Sequence, residues 1–370
     1  MDICKLGDIA KFTTGKLNSN AAQDNGKYPF FTCAPEALKI DDYAFDTEAI
    51  ILAGNNADGN FHIQHFKGKF NAYQRTYVIE SLDENKVDTK YLYYALKTCL
   101  LHFKQISQGS ATKFLTAKIL NSFELPIPEI EIQKKIAGTL GNLDKKIKTN
   151  EAINENLEQQ AQAIFAQEFL NRSSVPDDWK EGSLLDIADY LNGLAMQKFR
   201  PSDDEIGLPV LKIKELRQGS CDSSSDLCSA SIKPIYIIHD GDVIFSWSGS
   251  LLVDFWCGGT CGLNQHLFKV TSQKYDKWFY YAWTKHHLDR FIAVAADKAT
   301  TMGHIKREDL AKAEVLIPNN ADYSRIGSLL QPIYNLIIAN RIENKKLAEI
   351  RGSLLPKLMS GEINILESDI

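Results

Sequence analysis

No run of apolar residues in this chain approaches the roughly 18 to 20 needed to cross a bilayer as a helix, and the opening residues Met1-Asp-Ile-Cys-Lys5 show no signal-peptide pattern. Both absences point to a cytoplasmic protein without a membrane partner. A disulfide framework is missing too: seven cysteines, odd in number and irregular in spacing, read as reduced thiols. Cys221, Cys228, Cys257 and Cys261 fall together in the second half, but their spacings match no common zinc ribbon, so no metal is expected. His62, His65, His266, His286 and His287 form no ligand or triad spacing that recurs along the chain. There is no glycine-rich cofactor loop and no G-x-x-x-x-G-K-[ST] phosphate loop. An Asn-Pro-Pro-aromatic tetrad, the signature of adenine methylation, is also absent. The expectation is a chain with no catalytic centre and no cofactor. Basic excess is lacking as well: 42 Lys and Arg stand against 47 Asp and Glu, the reverse of the average nucleic-acid binder.

What the chain has is a repeat. Ile136, Leu140, Leu143, Ile147, Asn150, Asn154, Leu157, Ala161 and Ile164 alternate steps of four and three, the seam of a coiled coil. Ile326, Leu330, Ile333, Ile337, Asn340, Asn344, Leu347, Arg351 and Leu354 repeat that seam at a constant offset of 190 residues, 136 to 326 and 164 to 354. Upstream the match continues more loosely. Leu6-Gly-Asp-Ile-Ala-Lys faces Leu184-Leu-Asp-Ile-Ala-Asp, Gly15 faces Gly193, Gln74 faces Gln265, Tyr93-Tyr-Ala faces Tyr280-Tyr-Ala, and Ala111-Thr112 faces Ala299-Thr300. Order is kept while spacing drifts, as in a duplicated globular domain whose loops have diverged; a solenoid would show a short fixed period. At 370 residues, 44% hydrophobic and 24% charged, the chain accommodates two globular domains plus helices.

The fold class expected is α+β, with two pseudo-symmetric domains separated by a two-helix antiparallel coiled coil. The segments are 1–129, a helix in 130–172, 173–318, and a second helix with a closing segment in 319–370. Strands are predicted at Ala49 to Ala53, Tyr73 to Glu80, Pro209 to Ile213, Asp242 to Trp247 and His266 to Val270, and shorter helices at Tyr91 to Phe103 and Trp278 to Phe291. The long helices are predicted from about Ile130 to Phe169 and Tyr323 to Met359, the first entered through Pro126-Ile-Pro128. Trp179, after a short polar linker, is expected to pack on the second domain. Gly54-Asn-Asn-Ala-Asp-Gly59 reads as a turn, since it lacks a Lys and a following helix pattern. Charge in the first domain looks segregated: Phe61 to Ile79 and Thr98 to Phe123 carry only bases, Glu36 to Glu48 mostly acids. That segregation suits a face that meets phosphates.

A buried Asn in an apolar seam needs a partner. Antiparallel helices would let Asn150 and Asn154 meet Asn340 and Asn344 at the seam centre and so fix the register. A helix of about 35 residues is on the order of 50 Å long at roughly 1.5 Å per residue. Such a rod would hold the two domains apart by more than one turn of B-DNA, roughly 34 Å.

Three motifs carry a family resemblance. Leu125-Pro-Ile-Pro-Glu-Ile-Glu-Ile-Gln133 before Ile136-Ala-Gly-Thr-Leu resembles the junction of type I restriction-modification specificity subunits, Val175-Pro-Asp-Asp-Trp179 the entry to their second target-recognition domain, and Leu354-Leu-Pro-Lys-Leu-Met-Ser-Gly-Glu-Ile-Asn364 their closing motif. The resemblance spans essentially the whole chain. It departs where Ile317-Pro-Asn-Asn-Ala-Asp-Tyr lacks the Glu-Gln of the first junction, and where Glu131-Ile-Gln133 separates that pair. It implies two target-recognition domains, each reading half of a split double-stranded DNA target, with the coiled coil as ruler. It further implies methyltransferase subunits, two in number, docked on the helices and supplying S-adenosylmethionine chemistry, and separate restriction and translocase subunits that cut.

Base edges are read by side chains with paired donors and acceptors, chiefly Arg for guanine and Asn or Gln for adenine. Asn71, Tyr73, Gln74 and Arg75, and at the matching place Asn264, Gln265 and His266, supply such groups beside strands. Gly109 to Lys113 and Lys298 to Met302 precede short helices and offer Thr112, Lys113 and Thr300 to phosphate, with Lys306 and Arg307 adding charge. Two other classes compete with this reading. One is a fused or degenerate methyltransferase, which would bind S-adenosylmethionine; the other is a protein-binding scaffold of duplicated domains, which would not bind DNA.

Overall fold

Each half of the chain builds a sheet with a central strand buried on both faces, Ala49 to Ala53 in one and Val243–Ser246 in the other, which is why these apolar runs in the sequence are continuous. The computed structural model describes residues 2–297 and 304–366. Two compact units emerge, one from Met1–Lys145 with Ala348–Ile370, the other from Lys146–Leu347. In the first, six strands follow the order 10–14, 76–81, 45–53, 63–72, 28–31, 38–40. Along Phe45–Ala53 the side chains alternate between two cores. Ile50 and Leu52 join Leu92, Leu96 and Phe103 on one side, while Ala49 and Ile51 join Phe70 and Val78 on the other.

The second unit repeats this plan with one break. Four strands, 189–192, 267–271, 243–246 and 252–255, form one sheet, and 227–228, 208–211, 261–263 and 237–238 form another. In the first unit the single strand Ile63–Ala72 pairs antiparallel with Phe45–Ala53 and then parallel with Tyr28–Phe31. In the second, Leu252–Phe255 and Cys261–Leu263 share those two jobs, parted by a loop in which Gly259 takes a left-handed φ of +91°. Each half is closed by an antiparallel pair of its first and last strands, Asp2–Lys5 with Glu124–Ile127 and Lys180–Ser183 with Glu314–Ile317.

The predicted elements are present, with shifts that have local causes. The strand expected from Tyr73 begins at Thr76, because Tyr73 to Thr76 is a turn closed by Thr76 N–H donating to Tyr73 O. The strand expected through Ile213 ends at Leu211, and a short helix follows whose Glu215 accepts from Lys212 N–H. Both shorter helices are broken, at Cys99 and at His287. The Gly54 to Gly59 turn is half strand: Asn55–Asn56 pairs with Lys113–Phe114, and Asn56 Oδ1 then accepts from the amides of Asp58 and Asn60 to close the bend. Trp179 is buried in the second unit's core, its Nε1 donating to Asp322.

The long helices run Ile130–Phe165, continued by one π-turn to Leu170, and Asn320–Ser360. Sequence alone treats them as separate segments; the compact units instead cut through both, because their ends belong to the cores. Ile136, Leu140 and Leu358 pack with Leu92 and Tyr94 in the first unit, and Ala161, Phe165, Ile326, Leu330 and Ile337 with Phe279 and Tyr281 in the second. Each buried Leu, Ile or Phe among them contributes about 1.5–3 kcal/mol through burial.

Within the second unit the helices are antiparallel, since partners rise in number on one as they fall on the other. Asn150 Nδ2 donates to Asn344 Oδ1 at 2.8 Å, Asn340 Nδ2 to Asn154 Oδ1 at 2.9 Å, and Arg325 grips Glu168 with two nitrogens. Asn154 and Asn344 also donate across to backbone, to Ile337 O and Ile147 O, both at 3.3 Å, and Asn150 to the Glu343 carboxylate at 2.7 Å. Within the first unit Arg351 pairs with Asp144, which also accepts from the Tyr94 hydroxyl. Burial opposes ionisation of Asp144, but Tyr94 and Arg351 outweigh it and hold the carboxyl below its ordinary range.

Two outcomes follow for stability. Asn154→Ala leaves the nearly buried Asn340 amide without its acceptor and should destabilise the chain by about 1–3 kcal/mol in denaturant unfolding, whereas the double change Asn154→Leu with Asn340→Leu should recover most of the loss. Because the Asp144 carboxyl is depressed in the folded state, its contribution is full above the unfolded value of roughly 3.9 and is lost as pH falls through the folded one. Unfolding midpoints of Asp144→Asn should therefore be lower at neutral pH and flatter than wild type on the acid side.

Candidate nucleic-acid interface

The two glutamines singled out in the sequence sit on the same turn in each unit. In the first, Tyr73 N–H donates to Phe31 O, Gln74 N–H to Leu17 O, and Thr76 N–H closes on Tyr73 O. In the second, Asn264 N–H donates to Leu211 O and Leu267 N–H closes on Asn264 O. A segment from the start of each half crosses beneath, forming parallel bridges Leu17 to Tyr73 and Leu194 to Asn264. Gly15 and Gly193 make that crossing possible: a β-carbon at either would overlap the carbonyl oxygen of Ala72 or Asn264. The spacing drift of the repeat is thus taken up in loops, while the crossing is held by hydrogen bonds.

A third segment completes each site. Leu115 N–H donates to Gly54 O at 2.9 Å beside the Asn55–Phe114 pair, and Ile305 N–H donates to Trp247 O at 2.9 Å beside the Ser248–His304 bridge. Arg75 is exposed and lies over the Phe114 ring, 5.6 Å from its centroid, so the turn and the Lys113 strand form one surface. Exposed Gln74 donates from Nε2 to Asn18 Oδ1 at 2.8 Å. Lys113 flanks Gly59, and Lys104 donates to Asn60 at 2.8 Å nearby. In the second unit His266 takes the place of Arg75. Its Nδ1 is 3.1 Å from Ser248 Oγ, and the Trp247 ring lies 6.1 Å away, its Nε1 donating to Asn192 Oδ1.

Not every expected residue reaches this surface. Asn71 and Asn264 are buried and engaged with the backbone, Asn71 donating to Asp42 O and accepting from Ala72 N–H, Asn264 accepting from His266 N–H. They shape the turn from beneath. Tyr73 is half-buried in it, and Thr112 lies half-buried in the bend between Gln108 and Phe114. Lys306 and Arg307 are exposed at the start of a short helix, where Lys306 N–H donates to Asp309. Thr300 and the rest of the Lys298 to Met302 loop lie outside the described residues.

The charge segregation read from the sequence is broken where the two strands pair at Glu48. Acidic Phe45–Ala53 pairs antiparallel with basic Ile63–Ala72, and Glu48 binds both His65, at 2.9 Å, and Lys67, at 2.7 Å. Burial works against the Glu48 charge, but Lys67 and His65 more than offset it and keep the carboxyl low. Arg75, Lys104 and Lys113 lie away from this neutralised pairing. Sequence reasoning missed Asn18, Phe114, Asn192, Trp247, Ser248 and His304. Trp247 and Ser248 were findable, because they follow the strand Val243–Ser246 as Gly54 and Asn55 follow Phe45–Ala53. Gln197-Lys198-Phe199-Arg200 was another signal. All four are exposed beside the crossing in the second unit, with Gln197 and Arg200 lining a cleft that includes Asn264.

Among the described residues no helix is long and apolar enough to cross a membrane. Comparison with known proteins matches the type I restriction modification DNA specificity domain twice, over residues 1–159 and 176–351. The chain is similar to the type I restriction enzyme EcoDI specificity subunit of Escherichia coli, at 26% identity over 97% of this chain and 88% of that one. It is also similar to the MjaIX specificity subunit of Methanocaldococcus jannaschii, at 28% identity over 77% and 72%. A crystal structure of the type I restriction-modification system S subunit from M. genitalium shares the fold, with a TM-score of 0.67 at 14% identity over 96% of this chain and 95% of that one. With the family signature falling once on each copy of the repeat, and each copy built around the same crossed turn, the chain belongs to the type I restriction-modification DNA specificity family.

Proposed function

We propose that the chain is the non-catalytic sequence reader of a cytoplasmic type I restriction-modification complex. Residues 1–129 and 173–318 each read one half of a split double-stranded DNA target. The helices in 130–172 and 319–370 fix the number of base pairs between the halves and receive methyltransferase subunits, two per chain. Methyl transfer and cleavage belong to those methyltransferase subunits and to restriction and translocase subunits.

The observation that carries this reading is the recurrence of the crossed turn, which offers Gln74 and Arg75 in one unit and Gln265 and His266 in the other. A guanidinium held over Phe114 suits the paired acceptors of guanine, and a glutamine amide suits adenine. Lys113 and Lys104 supply phosphate contacts beside them. The overall charge of −5 gives little long-range attraction, so affinity rests on these local groups.

Binding of the complex assembled with its methyltransferase subunits to its cognate duplex should weaken steeply with salt. Arg75→Ala should cost about 1–3 kcal/mol of cognate binding at fixed salt and relax the choice of base at one position, with helix content unchanged. Lys113→Ala should weaken binding to all sequences alike and reduce the salt slope by about one. An Arg75→Ala complex with undiminished cognate affinity would remove that residue from the interface.

A further inference from the structure

The two glutamines of the crossed turns are held by chemically different neighbours. Gln74 donates to Asn18 Oδ1, whereas Gln265 Nε2 lies 3.3 Å from His266 Nε2, and His266 Nδ1 lies 3.1 Å from Ser248 Oγ. An amide nitrogen carries two protons and has no lone pair to share. The Gln265 contact is therefore a hydrogen bond only when His266 Nε2 is bare and its proton sits on Nδ1, donating to the Ser248 hydroxyl. Ser248 is buried, and its segment is bridged to His304, so the hydroxyl that accepts from Nδ1–H in this tautomer is held in place. With one amide proton committed inward, Gln265 keeps its Oε1 and one N–H, an acceptor beside a donor. That pair complements N6–H and N7 of adenine in the major groove.

Building on the DNA-reading function proposed above, we infer that His266 and Ser248 set Gln265 to read adenine in the second half-site, and that the setting depends on the proton state of His266. A protonated imidazole donates from both nitrogens. Gln265 then meets Nε2–H only through Oε1, so the amide turns over and its two N–H donors are presented instead. Two donors complement N7 and O6 of guanine and leave adenine's N6–H unmatched. Among the described residues the groups around His266 are the uncharged Trp247, Ser248 and Gln265, while the segment bridged to Ser248 carries His304, its ring 6.0 Å from Trp247, followed by the exposed Lys306 and Arg307. Gln74 has no such exchange, because Asn18 does not titrate and the next residue is the permanently charged Arg75.

The test uses the complex assembled with its methyltransferase subunits and a duplex carrying both half-sites, as defined by the bases it modifies. Each A·T pair is replaced in turn by G·C. Gln265→Ala and Gln74→Ala identify the position each glutamine reads, as the one whose discrimination each variant loses. Binding is then compared at about pH 8 and about pH 5.5 at constant salt, the range over which imidazole side chains change charge as a class. At the Gln265 position the preference for adenine over guanine should fall by about tenfold or more at the lower pH, and at the Gln74 position it should not change. His266→Asn should make the two pH values agree, while His304→Asn should preserve the difference. Equal discrimination at both pH values in the wild-type complex, a Gln265 position that is not adenine, or a pH effect retained in His266→Asn would overturn the inference. A complex that prefers no duplex at either pH would overturn the DNA-reading function with it.

Discussion

An apolar seam interrupted by asparagines is the constraint on which the architecture depends. Leucine and isoleucine alone would let two helices slide by a turn at little cost, since one apolar residue replaces another. Asn150 with Asn344 and Asn154 with Asn340 forbid that slide, because a shift strands buried amides among aliphatic side chains. The 190-residue repeat exchanges the two pairs, so one device occurs twice, with Asn150 Oδ1 left buried and unpartnered among the described residues. Around it the ionic contacts differ. Arg341 ties Glu158 on the first long helix to Asp254 on the sheet of the second unit, whereas in the first unit Arg351 and Tyr94, the latter on the helix Thr89–Thr98, meet at Asp144.

The duplicated halves have kept what their hydrogen bonds demand and changed the rest. Both retain the closing strand pair, the glycine beneath the crossing and the turn that carries glutamine. The first unit runs one strand through two pairings; the second breaks it near Gly259 and gains a separate four-stranded sheet. Side chains at the turn diverged furthest, from a guanidinium stacked on phenylalanine to an imidazole beside serine and tryptophan. Conserved support beneath variable contact groups is the arrangement expected of a scaffold whose specificity changes while its fold does not.

Much of this was legible in the sequence. The seam could be read because coiled-coil packing has a fixed period, and the repeat because Gly15 and Gly193 answer the same steric demand. Gln74 and Gln265 were legible as a pair for the same reason. The burial of Asn71 and Asn264 was not, since an asparagine that shapes a turn and one that meets a base look alike in a string of letters. Nor was the fate of the acidic stretch from Glu36 to Glu48. The pairing of its last acid, Glu48, with His65 and Lys67 depends on an antiparallel register with Ile63–Ala72 that composition does not encode. Phe114 and Trp247 stayed hidden because their role comes from a strand pairing between distant segments.

The central claim is that one chain carries two independent readers of DNA sequence joined by a helical spacer. Mapping the adenines modified by the assembled complex across a genome tests it most directly. The account predicts a motif of two specified segments separated by a constant number of unspecified base pairs, and exchange of residues 1–129 for those of a relative should change one segment alone. A single uninterrupted motif, or a change in both segments on exchange of one domain, would contradict it.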